Sequence, residues 1–224
     1  MEDICLVIPS TNRHATHIGN LLTSIEKQTL PPKEIIIAMS EADDETCESW
    51  KKQITDMTTL NIQIDCVARK AYAAENRNRG GELCTSNIIS FMDTDDTMSH
   101  DRLETVVSKM TEYTADAFLH NFNMNKKCSG GSGKTYTAGK LRDVHNHQKN
   151  NNGPIHLNMN PMPHHGHFTV RKHVFEDLKQ DESEQYRRSE DSEYVRRVID
   201  HGHDTIFTDL CLSDYNIQNS TSNY

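Results

Sequence analysis

The sequence predicts an α/β fold in which helices cover a doubly wound, mainly parallel sheet, followed by a less regular second half. Two observations predict this class. Short apolar runs alternate with helical stretches through residues 1–110, which is typical of crossover units and a parallel sheet. The runs are also nearly continuous, as in strands buried on both faces. A length of 224 residues suits one sizeable domain with its own core.

Each element of the first half has its own pattern. Four strands are predicted at 4–8, 34–39, 62–67 and 88–92. Helices between and after them are indicated by apolar stripes at helical spacing. The stripes are Ile18, Leu21, Leu22 and Ile25; Trp50, Ile54 and Met57; and Leu103, Val106, Val107 and Met110. A further helical stretch is predicted around 73–83. Ligands of such a sheet bind at the carboxyl ends of its strands.

The second half is harder to assign. The polar stretch 126–163 predicts a long loop or hairpin beside a site, and 168–171 a further strand. A last helix carries the stripe Tyr194, Val195, Val198 and Ile199 and is closed by Gly202. Residues 216–224 are predicted to be a tail or linker.

Composition limits the partners. The chain has 24 Lys+Arg against 33 Asp+Glu, a formal charge of −9, and so lacks the broad basic surface of a nucleic-acid-coating protein. No run approaches the ~20 apolar residues of a membrane span. We therefore predict no nucleic-acid partner and no membrane span. Six scattered cysteines without a C-x-x-C pair favour free thiols and a cytoplasmic location.

The acidic run Asp93-Thr94-Asp95-Asp96 directly follows the fourth predicted strand. In extended backbone the side chains of Asp93 and Asp95 would point the same way and converge on one cation. Carboxylate ligands suit Mn²⁺ or Mg²⁺, ions that also bind a diphosphate. The alternative is an acidic turn that caps the next helix at Ser99.

Two further motifs are weaker alone. Glu190-Asp191 opens the last helix, either as a helix cap or as a general base that deprotonates a hydroxyl. In Arg77-Asn78-Arg79-Gly80 an arginine fork is predicted to contact phosphate, the alternative being a solvated helix face.

Two other patterns give less support to a functional site. The run 129–135 lacks the first glycine of a P-loop, because Cys128 holds that position, and is predicted to be a loop. The thirteen histidines have no Cys or Glu partner at a zinc-site spacing, so a closed structural zinc site is not expected. His167 is a candidate metal ligand, or a loop histidine that binds nothing.

Taken together, these segments resemble the family 2-like inverting glycosyltransferases of the GT-A fold. The run 6–13 resembles their first strand and nucleotide loop, 34–43 their second strand with its acidic turn, and 77–80 their Arg-Asn-x-Gly segment. The run 91–96 is similar to their D-x-D motif, and Glu190-Asp191 to their catalytic Glu-Asp motif. The second strand ends in Ser40-Glu41 where many relatives have paired aspartates.

The resemblance implies a single GT-A domain at 1–215, with a nucleotide-binding half at 1–110 and an acceptor-side half at 111–215. The small size, the composition and the polar tail indicate one catalytic module of a larger polypeptide from a large virus or a bacterium. The resemblance also implies roles for individual residues. Asp191 is the expected base; Asp93, Asp95 and His167 are expected to bind Mn²⁺ or Mg²⁺; and the donor is expected to contact Pro9, Ser10, Thr11, Arg13, Glu41, Arg77, Asp93, Thr94 and Asp95.

The activity implied is metal-dependent transfer of a hexose or deoxyhexose, with inversion, from a nucleotide-diphosphate sugar to a hydroxyl of a glycan or glycoprotein. A UDP-sugar is the expected donor. Two alternatives stay open at this point. One is a nucleotidyltransferase on a similar sheet, which would release pyrophosphate. The other is a non-catalytic nucleotide- or carbohydrate-binding module.

Overall fold

The computed structural model describes residues 2–124, 133–137, 168–187 and 189–216. Its strands are β1 (Ile4–Thr11), β2 (Glu34–Ser40), β3 (Ile62–Val67), β4 (Ile88–Phe91), β5 (Thr97–Met98), β6 (Ala117–Met124), β7 (Thr135–Thr137), β8 (Phe168–Arg171) and β9 (Thr205–Tyr215). Its α-helices are α1 (Ile18–Glu26), α2 (Asp44–Met57), α3 (Ala73–Leu83), α4 (Arg102–Glu112), α5 (Lys172–Asp177) and α6 (Glu190–Asp200).

One mixed sheet connects the two halves of the chain. Within the described residues its order is β3-β2-β1-β4-β8-β6-β9-β5, and β7 pairs with β9. The pairs among β1 to β4 are parallel, whereas β8 runs antiparallel to both β4 and β6. The predicted doubly wound, mainly parallel sheet is confirmed, with an antiparallel insertion that the sequence did not indicate.

The order in which the chain adds strands to the sheet changes sides at β1. After β1 it adds β2 and then β3 on one side, and α3 carries it back to place β4 on the other side. The gap between the ends of β1 and β4 is therefore a topological switch point, where an open α/β sheet forms its ligand crevice.

Two apolar clusters cover the two faces of the sheet. Alternate residues of β1 point to opposite faces, so Ile4, Leu6 and Ile8 join one cluster while Cys5 and Val7 join the other. The first cluster contains the stripes of α1 and α4 together with Trp50 and Ile54 of α2. The second contains apolar residues of α5 and α6. This double burial explains the continuous apolar run of the first strand.

Most predicted elements match, but one residue was misassigned and one strand was missed. Met57 was assigned to the buried face of α2 and is 53% exposed. The predicted loop or hairpin at 126–163 contains the short strand β7, and apart from 133–137 that stretch lies outside the described residues. The long strand β9 was missed. It pairs in parallel with β6, with register shifts after His120 and Asn121, and such irregular pairing leaves no simple period-2 pattern in the sequence.

The expectation of free thiols was also wrong. Cys5 and Cys84 form a disulfide, as do Cys47 and Cys66, each with a Cα–Cα distance of 6.1 Å. Within the described part of the chain no cysteine is a free thiol. The partners are 79 and 19 residues apart in sequence, so the packing of helices on the sheet brings them together. Among the described helices none is long and apolar enough to cross a membrane.

Candidate functional site

The acidic run lies at the switch point, as its position after β4 predicted. Residues 93–96 form a turn in which the Asp96 N–H donates to the Asp93 carbonyl at 3.3 Å. The extended backbone that we assumed for Asp93 and Asp95 is therefore wrong. The Thr94 side chain is buried and its hydroxyl donates to the Pro9 carbonyl at 2.8 Å, which ties the turn to the end of β1.

Arg77 joins the acidic turn to the start of α6. Its Nη2 donates to Asp93 Oδ1 at 2.7 Å and its Nη1 to Glu190 Oε1 at 3.3 Å. Only 4% of the Arg77 side chain is exposed. Although burial opposes it, the charges of Asp93 and Glu190 raise the pKa of Arg77. The expected phosphate contact therefore needs revision, because this guanidinium is paired with two carboxylates and positions them.

The other two carboxyl groups of the turn, those of Asp95 and Asp96, have less positive charge beside them. Asp95 forms no ion pair with a described residue; burial, with the neighbouring charge of Asp93 adding to it, raises its pKa. Burial also raises the pKa of Asp96 well above its usual range. Asp96 Oδ1 accepts the Asn216 N–H at 2.8 Å, while its Oδ2 is buried without a hydrogen-bond partner among the described residues. A divalent cation would offset these charges, and one or two carboxylates plus a diphosphate are the usual ligands of Mg²⁺. The residues present thus fit such an ion.

The Glu190-Asp191 pair occupies the first two positions of α6. Burial, and secondarily Asp191, raise the pKa of Glu190, while Arg77 lowers it. Asp191 is half-buried, and its Oδ1 accepts the N–H of Ser192 at 2.7 Å. No side chain caps this helix at Ser189. Glu190 is paired with Arg77, whereas Asp191 forms no ion pair with a described residue and is the carboxylate of the two that is better placed to accept a proton from a hydroxyl.

The predicted donor contacts lie at the ends of β1 and β2. Ser10 is buried, and Thr11 Oγ1 accepts the His14 N–H at 3.4 Å. Arg13 is exposed just before a 3₁₀ turn at His14–His17. Glu41 follows β2 with a φ of 59°, a left-handed conformation that is uncommon for a residue other than glycine and often marks functional loops. His167 lies outside the described residues.

A buried amide that was not among the predicted site residues organises this crevice. Asn76 on α3 donates from Nδ2 to the Ser10 carbonyl at 2.9 Å and to Ser40 Oγ at 3.2 Å. Its helix lies close to β1, because a Cβ on Gly80 would come within 2.5 Å of Val7 Cγ1. The spacing of Asn76 and Gly80, four residues apart on one helical face, was the available signal.

Comparison with known proteins tests this assignment. The model of the family described as glycosyl transferase family 2 matches residues 5–178, more than half of the chain. The chain belongs to this family. The prediction of a family 2 glycosyltransferase is thereby confirmed at the level of the family.

The curated and solved relatives of this family 2 domain are distant and longer. Over 124 residues it is 27% identical to glycosyltransferase GlyA of Streptococcus pneumoniae serotype 4, covering 54% of this chain and 17% of that protein. The crystal structure of S. aureus TarS has a TM-score of 0.70 at 15% identity, covering 96% of this chain and 36% of that one. TarS 1-349 in complex with UDP-GlcNAc has a TM-score of 0.69 at 15% identity, covering 95% of this chain and 58% of that one. The family 2 domain therefore shares its fold with TarS and spans less than two thirds of each of these relatives.

Proposed function

We propose that this family 2 domain transfers a sugar, with inversion, from a UDP-sugar to a hydroxyl of a glycan or glycoprotein, and that it depends on a divalent metal ion. The bridge of Arg77 between Asp93 and Glu190 carries the proposal. Because of it, the acidic turn and the start of α6 face one crevice at the switch point. The S. aureus TarS structures with UDP and with UDP-GlcNAc support a UDP-linked donor on this fold.

The residues of the turn would hold the donor diphosphate. Asp95, with Asp93 beside it, would bind Mn²⁺ or Mg²⁺, which when bound supplies positive charge against the departing diphosphate. Arg77 holds Asp93 in place through its bond at 2.7 Å. Since Asp95 has no ionic partner among the described residues, it is the carboxylate best suited to the ion.

Asp191 would activate the acceptor. Its free oxygen would take the proton of the attacking hydroxyl, which then bonds to the anomeric carbon as the bond to the diphosphate oxygen breaks. Attack from the face opposite the leaving group inverts the configuration. Glu190, held by Arg77, fixes the first turn of α6 and with it the position of Asp191.

Replacing Asp191 tests the catalytic assignment. We expect Asp191→Asn to abolish sugar transfer while UDP affinity in the presence of Mn²⁺ stays within about twofold, since only the proton acceptor is lost. Sugar transfer is measured as the amount of UDP released, and UDP affinity is measured by calorimetry. Asp200→Asn, an exposed position near the end of the same helix, is the control and should behave like the parent. Transfer at the parental rate by Asp191→Asn would remove Asp191 from the mechanism.

Replacing Asp95 tests the metal site. We expect Asp95→Ala to lose Mn²⁺-dependent UDP binding, while Asp56→Ala, an exposed position on α2, keeps it. A thermal-shift series with UDP, GDP, TDP and CMP, with and without Mn²⁺, identifies the nucleotide, because a ligand at 100 times its Kd adds ~2.7 kcal/mol of stability. Stabilisation by none of them, or pyrophosphate release from a nucleoside triphosphate and a sugar phosphate, would overturn the transferase proposal.

A further inference from the structure

A second cluster of side chains able to bind a metal lies at the amino ends of two strands, on the side of the sheet opposite the crevice. Asp116 immediately precedes β6, His203 lies two residues before β9, and His173 is the second residue of α5. Strands β6 and β9 are parallel to each other, and β6 is parallel to β4 because both pair antiparallel with β8. Their amino ends therefore lie away from the carboxyl ends that form the crevice.

The three side chains converge on one point. One ligand atom from each lies within 4.8 Å of the others. His173 Nε2 is 3.1 Å from Asp116 Oδ1, and His203 Nδ1 is 3.9 Å from Asp116 Oδ2. With zinc bonds of ~2.0–2.1 Å, two ligand atoms on one tetrahedral ion lie ~3.3 Å apart. The observed spacing is thus within a small side-chain adjustment of a coordinated geometry.

The surrounding groups orient these ligands. His203 uses its second nitrogen, Nε2, to contact Asp177 Oδ2 at 3.2 Å, which leaves Nδ1 facing Asp116. Asp116 Oδ2 accepts the N–H of Asp204 at 3.0 Å. A ligand histidine whose other nitrogen meets a carboxylate, and a ligand carboxylate that is itself hydrogen-bonded, are regular features of protein metal sites.

We propose that Asp116, His173 and His203 bind a zinc ion that joins the amino ends of β6 and β9 to α5. Two imidazole nitrogens and one carboxylate oxygen suit Zn²⁺ and not Mg²⁺. Three protein ligands leave a fourth position for water, and solvent reaches the cluster at His173, whose side chain is 58% exposed. The ion would stabilise the fold, since it connects segments that are far apart in sequence.

Zinc binding to the full chain tests this proposal. The parent for the test replaces with alanine both Asp95, the proposed ligand in the crevice, and the other clustered histidines, so that zinc bound at those places is not counted: His145, His147, His164, His165 and His167. With zinc chloride alone, competing against a chromogenic chelator, we expect one zinc ion per chain and a raised Tm. Magnesium chloride should give neither.

Variants in this background locate the ion. His173→Ala, at an exposed position, should lose the zinc and its Tm shift, and Asp177→Asn should weaken affinity by ~10–100-fold without abolishing it. His201→Ala, two residues from His203 and exposed, should bind like the background chain. Absence of stoichiometric zinc in the background chain, or unchanged binding in His173→Ala, would overturn the proposal. The cluster would then be a hydrogen-bonded ion-pair network, and the proposed transferase activity would be unaffected.

Discussion

Loss of the Arg77 guanidinium should be costly for folding because it would remove the buried cation that pairs with both Asp93 and Glu190. In Arg77→Met the apolar stem is kept and the charge is removed. Removing one partner of a buried ion pair costs ~3–5 kcal/mol. Asp93 and Glu190 keep 21% and 16% of their side chains exposed, so solvent recovers part of the loss. We therefore expect the free energy of unfolding to fall by about 3 kcal/mol, at the low end of that range.

Urea unfolding measures this loss, and Arg69→Met is the matched control. Arg69 also pairs with a carboxylate, that of Glu75, but 63% of its side chain is exposed. An exposed ion pair contributes little to stability because water and salt screen it, so the control should lose far less stability than Arg77→Met. The comparison separates burial from the mere presence of an ion pair.

The pH dependence gives a second readout with a fixed sign. Burial already raises the pKa of Glu190 above its ordinary value of 4.5, against the opposing charge of Arg77. Removing Arg77 raises it further. A carboxyl group whose pKa is higher in the folded state binds protons there preferentially, so its stabilisation is complete below pH 4.5 and is lost as the pH rises through the folded-state pKa.

The deficit of Arg77→Met relative to the parent should consequently be small near pH 4 and complete at neutral pH. Two results would refute the reasoning. One is a deficit no larger than that of Arg69→Met at neutral pH. The other is a deficit that is the same at both pH values, which would mean that packing and not charge is responsible.

Two further predictions concern packing and covalent links. A Cβ on Gly81 would lie 2.3 Å from Cζ of Phe175, so Gly81→Ala should destabilise the protein by ~1–3 kcal/mol. In the control Gly19→Ala the Cβ meets nothing within 4 Å, so this variant should be neutral or more stable by up to ~1 kcal/mol. Equal stability of the two variants in urea unfolding would contradict this prediction. The Cys5–Cys84 disulfide closes 79 residues, so the double Ala variant should lose ~4 kcal/mol through loop-closure entropy, and parental stability together with labelling of both thiols in the unfolded parent would show that the bridge is not formed.

Local patterns in the sequence were sufficient for the first half of the fold. The strand 62–67 has the predicted bounds in the structure, because hydrophobic periodicity reports which face of an element is buried. The helix 73–83 also has the predicted bounds, although it buries mainly polar residues and glycines. The order of these elements also placed Pro9, Glu41 and Asp93 at one edge, since parallel strands share the direction of their carboxyl ends. The positions of these three candidate site residues could therefore be predicted from the sequence.

What those residues contact was decided by the tertiary structure. Arg77 was expected at phosphate, yet its ion pair with Glu190 spans 113 residues and depends on how α3 and α6 pack. The cysteine pairs and the group of Asp116, His173 and His203 are likewise formed by segments distant along the chain. Periodicity carries information only about neighbours along a helix or strand, whereas these contacts depend on which faces exclude water together when the sheet assembles.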